Sequence, residues 1–268
     1  MPELPEVETI VKSLSQHLPG KMFRLVEVKK PLVVKENASD FSSFLQDKTI
    51  HSVVRHGKAI YFVLQNSPKN LRIHLGMTGQ LLLKKPLFPA EKHARVLFQF
   101  ENADFDLHYC DMRQFGRLEF VKGVRDKNWG PDAWVSSEEE ILAALRRKSG
   151  MIKHALLNQN VVAGLGNIYV DESLFRSRIH PKKNLNSLSK PRLLDLYGSI
   201  RAVLKQSIDL GGTSFRNYVD TAGSRGGFKG RLNVYGKEGE PCPSCGAPIR
   251  KMVVASRGTH YCPKCQKR

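Results

Sequence analysis

Acidic side chains are scarce in this sequence of 268 residues. Asp and Glu number 25 against 43 Lys and Arg, which gives a formal net charge of +18. Such an excess makes the folded chain repel itself and implies a polyanionic partner, of which nucleic acid is the expected one. An anionic membrane surface would require a basic amphipathic helix with a bulky apolar face, and we find none. On charge alone, a basic protein without such a partner stays an alternative.

Long apolar runs are also missing, so the sequence predicts no membrane-spanning helix. Its opening, MPELPEVETI, lacks the basic and then apolar pattern of a signal peptide. We therefore expect a cytoplasmic protein with no membrane partner, no obligate protein partner and a monomeric state. In that compartment the few cysteines should stay reduced, which favours metal ligation over disulfides.

Four of the five cysteines form two C-x2-C pairs, Cys242 with Cys245 and Cys262 with Cys265, and sixteen residues separate the pairs. Zinc prefers four soft ligands in a tetrahedron, so the pattern predicts one structural zinc ion with no open catalytic position. The intervening segment is basic and suits phosphate contact, although it could merely be a solubilising surface. The remaining cysteine, Cys110, is expected to pack inside a strand.

Periodicity divides the rest of the chain into two parts. Apolar residues at helical spacing predict a leading helix over 5–18. Eight β-branched and aromatic runs then predict an antiparallel sandwich or barrel, with strands at 23–28, 50–54, 59–64, 71–75, 80–83, 95–100, 105–109 and 117–121. Helical patterns follow at 138–147, 152–157, 169–176 and 190–210, and a glycine-rich stretch covers 211–233.

The predicted fold class is therefore α+β. We expect an N-terminal antiparallel β-sandwich domain with its leading helix over 2–122 and a linker over 123–136. A helical domain should follow over 137–233, and a zinc-finger hairpin over 234–268.

Pro2 follows the initiator Met1, a context in which the methionine is commonly removed. Removal would leave a secondary α-amine with a pKa of roughly 7.7–8, partly unprotonated at neutral pH. Such an amine can attack a sugar aldehyde carbon and form an iminium, with Glu3 and Glu6 near enough to exchange protons. On local sequence alone, however, Pro and Glu at a helix start are ordinary capping residues.

Seven motifs follow one another along the whole chain: PELPEVETI, RHGKAIYF, HLGMTG, DMRQFGRL, VVAGLGNIYVDESLF, VYGKEGEPCPSCGAPI and SRGTHYCPKCQ. Together, and in this order, they resemble the formamidopyrimidine-DNA glycosylase and endonuclease VIII family. The glycine-rich stretch and GLGNIYVDESLF are more similar to the 8-oxoguanine and formamidopyrimidine branch than to the oxidised-pyrimidine branch. The resemblance implies a helix–two-turn–helix in the helical domain.

The resemblance also implies a catalytic set. In the family the processed N-terminal proline, here Pro2, attacks C1′ of the damaged nucleotide, and the neighbouring Glu3 acts as acid during base loss and ring opening. Lys58 matches the lysine that assists β-elimination. Arg257 matches the zinc-hairpin arginine assigned to δ-elimination, and Glu6 is expected close to the same site.

Three residues match the family's trio that fills the space left by the extruded nucleotide: Met77, Arg113 and Phe115. An apolar wedge beside an arginine suits that task, because it restores stacking and offers donors to the orphaned base. By spacing alone, Met and Phe would be expected in the core.

Other positions match family contacts to phosphate or to the terminal proline. Asn167 falls at the turn of the helix–two-turn–helix, and His93 and Lys153, with Arg113, match phosphate-contact positions. His93 could equally be a surface histidine. Glu172 matches the carboxylate that holds the terminal proline, unless it is an exposed helix residue. The segment 214–229 corresponds to the family's mobile loop over the extruded base.

We therefore expect an enzyme that removes oxidised purines from double-stranded DNA and cleaves the abasic strand by β,δ-elimination. A glycosylase of the same family that prefers oxidised pyrimidines is one alternative. A non-catalytic protein that binds damaged DNA through this fold is another. The chain departs from the common family pattern at Asn158, where aspartate is more usual, and at Gln114, where arginine or lysine is frequent.

The net charge predicts a strong salt dependence of DNA binding. Affinity for a duplex should fall at least about tenfold between 50 and 200 mM salt, because each neutralised phosphate releases counterions. Fluorescence anisotropy with a labelled duplex measures this directly. An affinity that does not change with salt would contradict the inference that the charge serves nucleic-acid binding.

Overall fold

A computed structural model of the chain describes residues 2–86, 89–215 and 217–268. By their internal contacts these residues form two compact units. The first unit comprises Met1–Arg125 and Leu210–Gly227, and the second comprises Asp126–Asp209 and Phe228–Arg268. No helix in the described ranges is both long and apolar enough to cross a membrane.

Two four-stranded antiparallel sheets form the described part of the first unit, in the strand orders β1-β6-β7-β5 and β2-β3-β4-β8. The predicted β-sandwich is thereby confirmed. Its strands are β1 (Phe23–Val28), β2 (Ile50–His56), β3 (Ala59–Leu64), β4 (Asn70–His74), β5 (Gly79–Lys84), β6 (Ala94–Phe100), β7 (Asp106–Asp111) and β8 (Arg117–Val121). Burial at every second residue of β6 shows one face turned to the core.

Helix α1 (Leu4–His17) packs against β2 and β3 and buries one apolar stripe in the sandwich core. A second helix, α2 (Ala38–Leu45), lies in the region where only strands were predicted. The Asn37 side chain caps it by accepting a hydrogen bond from the Ser39 N–H at 3.0 Å. Only Phe41 and Leu45 are buried, and two apolar residues one turn apart are too few to reveal a helical period.

The glycine-rich stretch contributes 210–227 to the first unit. Tyr218 lies in the sandwich core, and the Leu83 N–H of the edge strand β5 donates a hydrogen bond to the Thr221 carbonyl at 2.9 Å. This association joins residues far apart in sequence, so no local pattern predicts it.

The described part of the second unit is helical, with α3 (Glu138–Arg146), α4 (Ile152–Leu157), α5 (Asn167–Arg176) and α6 (Lys190–Asp209). Every residue of α5 from Ile168 to Phe175 is buried, because the helix packs against α4, α6 and the zinc-module hairpin. That hairpin consists of β9 (Arg250–Val254) and β10 (Arg257–Tyr261). Part of the predicted linker also packs on this unit, since Asp132 is fully buried and bridges Ala163. The predicted domain limits stay a prediction.

Candidate active site and nucleic-acid interface

The N-terminal segment is buried rather than frayed. Pro2, Glu3 and Glu6 are all buried, and Glu3 is the N-cap of α1. The Glu3 N–H donates a 2.7 Å hydrogen bond to Glu6 Oε2, as in a capping box. Glu6 is therefore a capping residue, as the local sequence suggests. This does not conflict with the predicted role of Pro2 as the nucleophile. Met1, whose removal the predicted chemistry requires, lies outside the described residues.

Lys58 lies in the tight turn between β2 and β3 and is 7% exposed. Arg55 fixes this turn to α1, because its Nε lies 2.7 Å from Glu8 Oε2 and its Nη1 donates to the Gly57 carbonyl at 2.8 Å. Burial, and then the Lys58 cation, lower the pKa of His74. A neutral His74 suits its contact with the next turn, in which Nδ1 accepts the Gly76 N–H at 3.1 Å.

The predicted wedge residues lie on neighbouring loops and are exposed. Met77 is 41% exposed and Phe115 is 54% exposed, so the alternative that places them in the core is wrong. The Arg113 guanidinium lies 4.5 Å from the centre of the Phe115 ring. The two loops meet at Gly76, where a Cβ would lie 2.6 Å from the Gly116 nitrogen, so only glycine allows this approach.

A carboxylate that the sequence analysis did not single out holds both wedge loops. Asp111 is fully buried at the end of β7. Its Oδ2 accepts the Gly116 N–H at 2.8 Å, and its Oδ1 accepts the Arg113 N–H at 3.2 Å and the Thr78 hydroxyl at 2.5 Å. The only sequence signal was an acidic residue at the end of an otherwise apolar strand, in YCDMRQFG.

His93 is half-buried and lines a cavity of about 300 Å³ in the first unit. The cavity wall also includes residues of β5 and β7 and of the glycine-rich segment, among them Gln80, Cys110, Asn217 and Arg225. Cys110 is buried there with Leu82 and Ala94, as its predicted packing role requires.

In the second unit, Glu172 on α5 is 1% exposed, which excludes the alternative of an exposed helix residue. Its Oε1 accepts the N–H groups of Val234 and Tyr235, each at 2.9 Å. Its Oε2 accepts the Asn233 N–H at 2.9 Å and the Asn233 side-chain amide at 3.0 Å. Glu172 thus fixes the segment that leads into the zinc module, and its predicted contact with the terminal proline stays a prediction.

The preceding residue, Asp171, holds the other side of the zinc module. Its Oδ2 accepts the His260 N–H of β10 at 2.8 Å, and its Oδ1 lies 2.6 Å from Lys153 Nζ. Both side chains of that ion pair are fully buried. Lys153 thus also has a structural role inside the unit, and its predicted phosphate contact stays a prediction.

Asn167 begins α5, where the free N–H groups of a helix start favour an anion. Its Nδ2 donates to the Gly258 carbonyl at 2.8 Å, which places it beside the hairpin residue Arg257. Arg257 is exposed and follows a two-residue turn, Ala255 and Ser256, in which both residues have positive φ. Asn167 and Arg257 therefore lie together at one end of α5.

The four cysteines of the C-x2-C pairs come together as predicted, with all four Sγ atoms within 4.8 Å of one another. Sγ–Sγ distances are 3.9 Å for Cys242–Cys265 and 3.5 Å for Cys245–Cys262. A tetrahedral zinc with bonds of about 2.3 Å requires sulfur separations of about 3.8 Å, so these residues fit one zinc ion. Buried Gln266 joins the module to the helices, since it accepts the Cys262 N–H and donates to the Ile179 carbonyl, both at 2.9 Å.

Comparison with known proteins gives three family matches along the chain. Residues 1–118 match the formamidopyrimidine-DNA glycosylase N-terminal domain, residues 130–219 match its H2TH domain, and residues 239–268 match the zinc finger found in FPG and IleRS. The formamidopyrimidine-DNA glycosylase of Pelotomaculum thermopropionicum is 40% identical over 276 residues, which cover 100% of this chain and 99% of that protein. The one from Cytobacillus firmus is 39% identical, over 99% of this chain and all of that protein.

Solved structures agree with these sequence matches. The Lactococcus lactis FPG in complex with abasic-site DNA superposes with a TM-score of 0.90 at 38% identity, over the whole of both chains. A mutant of the same protein with Fapy-dG-containing DNA gives the same TM-score, identity and coverage.

Asp111→Asn tests how the wedge loops are held. Both Asp111 oxygens accept a main-chain N–H, and asparagine replaces one of these oxygens with an NH2 group, which cannot accept. At least one hydrogen bond to a charged acceptor is therefore lost. The free energy of unfolding should fall by about 2 kcal/mol, measured by urea denaturation. Asp104→Asn, an exposed change on the same unit, should stay within about 0.5 kcal/mol of the parent protein. Equal effects of the two variants would contradict the role of Asp111.

Cys262→Ser tests whether zinc positions the DNA-binding hairpin. The variant should lose zinc and, because Arg257 lies on that hairpin, bind duplex DNA more weakly by roughly tenfold. Zinc content and fluorescence anisotropy measure the two effects. Cys110→Ser is the matched control and should retain zinc, since Cys110 is not a ligand. Full DNA affinity after stoichiometric zinc loss would refute the coupling.

Proposed function

Because the chain belongs to the formamidopyrimidine-DNA glycosylase family, we propose that it excises oxidised purines from double-stranded DNA and then cleaves the abasic strand. As a family member it is a DNA-repair glycosylase. Its substrate preference and its lyase activity are the proposal. The similarity of the glycine-rich stretch and of GLGNIYVDESLF to the oxidised-purine branch supports that preference. A cytoplasmic location, in which the cysteines would stay reduced, belongs to the same proposal.

The observation that carries the proposal is the buried N-terminal segment. A chain terminus is normally mobile and exposed, yet Pro2 and Glu3 are buried at the start of α1. A buried amine loses part of its hydration, which favours its neutral and nucleophilic form. Holding that amine in one position also removes the entropy cost of bringing a mobile group to the sugar.

The proposed chemistry begins when the Pro2 nitrogen attacks C1′ and the bond from C1′ to the base breaks. Glu3 supplies a proton during base loss and opening of the sugar ring, and the nitrogen lone pair then forms an iminium at C1′. The iminium acidifies the C2′ proton. Loss of that proton expels the 3′ phosphate with the help of Lys58, and a second elimination, assigned to Arg257, expels the 5′ phosphate.

Residues of both units are proposed to contact DNA. Met77 and Phe115 would occupy the space left by the extruded nucleotide, and Arg113 would offer donors to the orphaned base. The exposure of these side chains on loops held by Asp111 supports this role. Asn167 and His93 would contact phosphates, and the cavity beside His93 would receive the extruded base. Glu172 is proposed to act on the terminal proline besides fixing 233–235.

The zinc ion, when bound by the four cysteines, stabilises the hairpin that carries Arg257. Four thiolates complete a tetrahedron, so this ion has a structural role. The β9–β10 hairpin is short, and a metal bound by the four cysteines would compensate for the small apolar cluster in which Val234 and Ile249 of the module pack with Phe175 of α5.

Borohydride trapping tests the proposal on a duplex that contains 8-oxoguanine opposite cytosine. Intact mass first establishes whether Met1 is removed. Protein that begins with Pro2 should form a reduced covalent adduct, and peptide mapping should locate the adduct at Pro2. Protein that retains Met1 should bind the duplex but form no adduct at Pro2, because its proline nitrogen is an amide.

Other outcomes distinguish the alternatives. Faster excision of thymine glycol than of 8-oxoguanine would support the oxidised-pyrimidine branch instead. Tight binding by the Pro2-terminated protein, with neither adduct nor strand cleavage, would refute an enzymatic function and support a damaged-DNA binding protein.

A further inference from the structure

One carboxylate joins the N-terminal segment to the glycine-rich segment 210–227. Glu6 is 1% exposed, and its two oxygens accept hydrogen bonds from different parts of the first unit. Oε2 accepts the Glu3 N–H at 2.7 Å, and Oε1 accepts the Thr213 N–H at 2.7 Å. Thr213 lies 207 residues beyond Glu6 in the sequence. Glu6 therefore forms a direct link between the amine end of the chain and the start of this segment.

The contact between Glu6 and the segment is tight. A Cβ on Gly212 would lie 2.9 Å from Glu6 Oε1 and 3.1 Å from Glu6 Cγ, and the Gly212 φ is +86°. The Tyr218 hydroxyl also donates to the Glu6 carbonyl at 3.3 Å. Main-chain and side-chain atoms of Glu6 thus both bind the segment, which leaves little room for independent movement.

Helix α1 binds the far part of the same segment as well. Ser13 Oγ lies 2.5 Å from Thr221 Oγ1, and the Thr221 carbonyl accepts the Leu83 N–H from β5. Ser13 is seven residues beyond Glu6, about two helical turns. Hence one helix carries the N-terminal segment at its start and contacts the glycine-rich segment through two of its residues, Glu6 and Ser13.

We propose that Glu6 is a positioning residue that couples docking of the segment 211–221 to the placement of the Pro2 amine. With the segment docked, Thr213 holds the carboxylate, and the carboxylate holds Glu3 directly after the amine. When the segment moves away, Glu6 loses one of these donors and Glu3 loses a fixed acceptor. The amine is then held less firmly, so the reactive arrangement forms only with the segment in place. This inference rests on the proposed function, because only a nucleophilic Pro2 makes the coupling catalytic.

Gly212→Ala tests the coupling from the side of the segment. The added Cβ should displace the flexible Glu6 carboxylate and press on the Tyr218 ring, whose Cε1 would lie 3.1 Å away, with no change in the N-terminal sequence. In the DNA-free protein, hydrogen exchange at the Glu3 amide, followed by NMR, should accelerate roughly tenfold for the loss of a hydrogen bond to a charged acceptor. Gly223→Ala is the matched control. Its φ is +88°, so the backbone strain is equal, but no atom lies within 4 Å of the added Cβ. Exchange at Glu3 should not change in that variant.

Glu6→Gln tests the same link at its centre and covers the possibility that Gly212→Ala fails to fold. A glutamine side chain has only one oxygen, so it can accept from only one of the two amides. Under the coupling, exchange should nevertheless accelerate at both Glu3 and Thr213, because the amide that keeps its acceptor is held less firmly once the other bond is lost. Glu8→Gln is the control on the same helix, since Glu8 binds Arg55 instead. It should leave both amides protected. Accelerated exchange at Thr213 with unchanged exchange at Glu3, in either test variant, would overturn the coupling.

The catalytic consequence is measured by borohydride trapping on abasic-site DNA, which requires the amine but no base recognition. At saturating DNA, Glu6→Gln and Gly212→Ala should form adduct roughly tenfold more slowly, with the dissociation constant unchanged. Trapping at the parent rate would overturn the catalytic consequence. If the parent protein itself forms no adduct, the proposed function fails, whereas the exchange data still decide the coupling.

Discussion

The hydrogen bond from a main-chain N–H to a buried carboxylate is the interaction on which this structure depends. It occurs at Glu6, Asp111, Asp171 and Glu172, each at most 1% exposed. A buried carboxylate is costly unless donors compensate for its lost hydration. Here the donors are amides of loop residues such as Gly116 and Val234 and, for Asp171, the His260 amide of β10, so one bond satisfies both groups.

Each of these carboxylates lies on a helix or strand, and all but Asp171, which binds the β10 strand, hold a loop. Asp111 at the end of β7 holds the loops of Met77 and Phe115, and Asp171 and Glu172 on α5 hold both sides of the zinc module. The residues proposed to meet DNA are therefore placed before DNA arrives. Such preorganisation lowers the entropy cost of binding and keeps reacting groups in position.

The strands and the zinc ligands could be predicted from sequence because their signals are local. Alternating burial in β6 and the spacing of the cysteine pairs each occupy one short window. Even the departure at Asn158 is explained locally, since its Oδ1 accepts the Asn160 N–H at 3.0 Å, as a carboxylate oxygen could.

The carboxylates and their partners could not be predicted in the same way. The pairing of Glu6 with Thr213 depends on contacts across most of the chain, and no periodicity encodes it. From the sequence, Lys153 is a basic residue that could bind phosphate. Its burial against Asp171 becomes visible only when α4 and α5 pack together. Gln266 looks like an ordinary polar residue near the C-terminus, yet it is fully buried and joins the zinc module to Ile179.

Amide hydrogen exchange in the zinc-loaded, DNA-free protein tests most directly whether these carboxylates fix the functional loops. The informative amides are those of Gly116 and Val234, which lie in loops and donate to Asp111 and Glu172. If the carboxylates hold the loops, the Gly116 amide should exchange within about tenfold of the Tyr109 amide in the core of β7, and the Val234 amide within about tenfold of the buried Leu174 amide in α5, because each opens only with its own unit. Exchange as fast as that of the exposed turn residue Asn102 would contradict the account, since the loops would then be formed only on binding DNA.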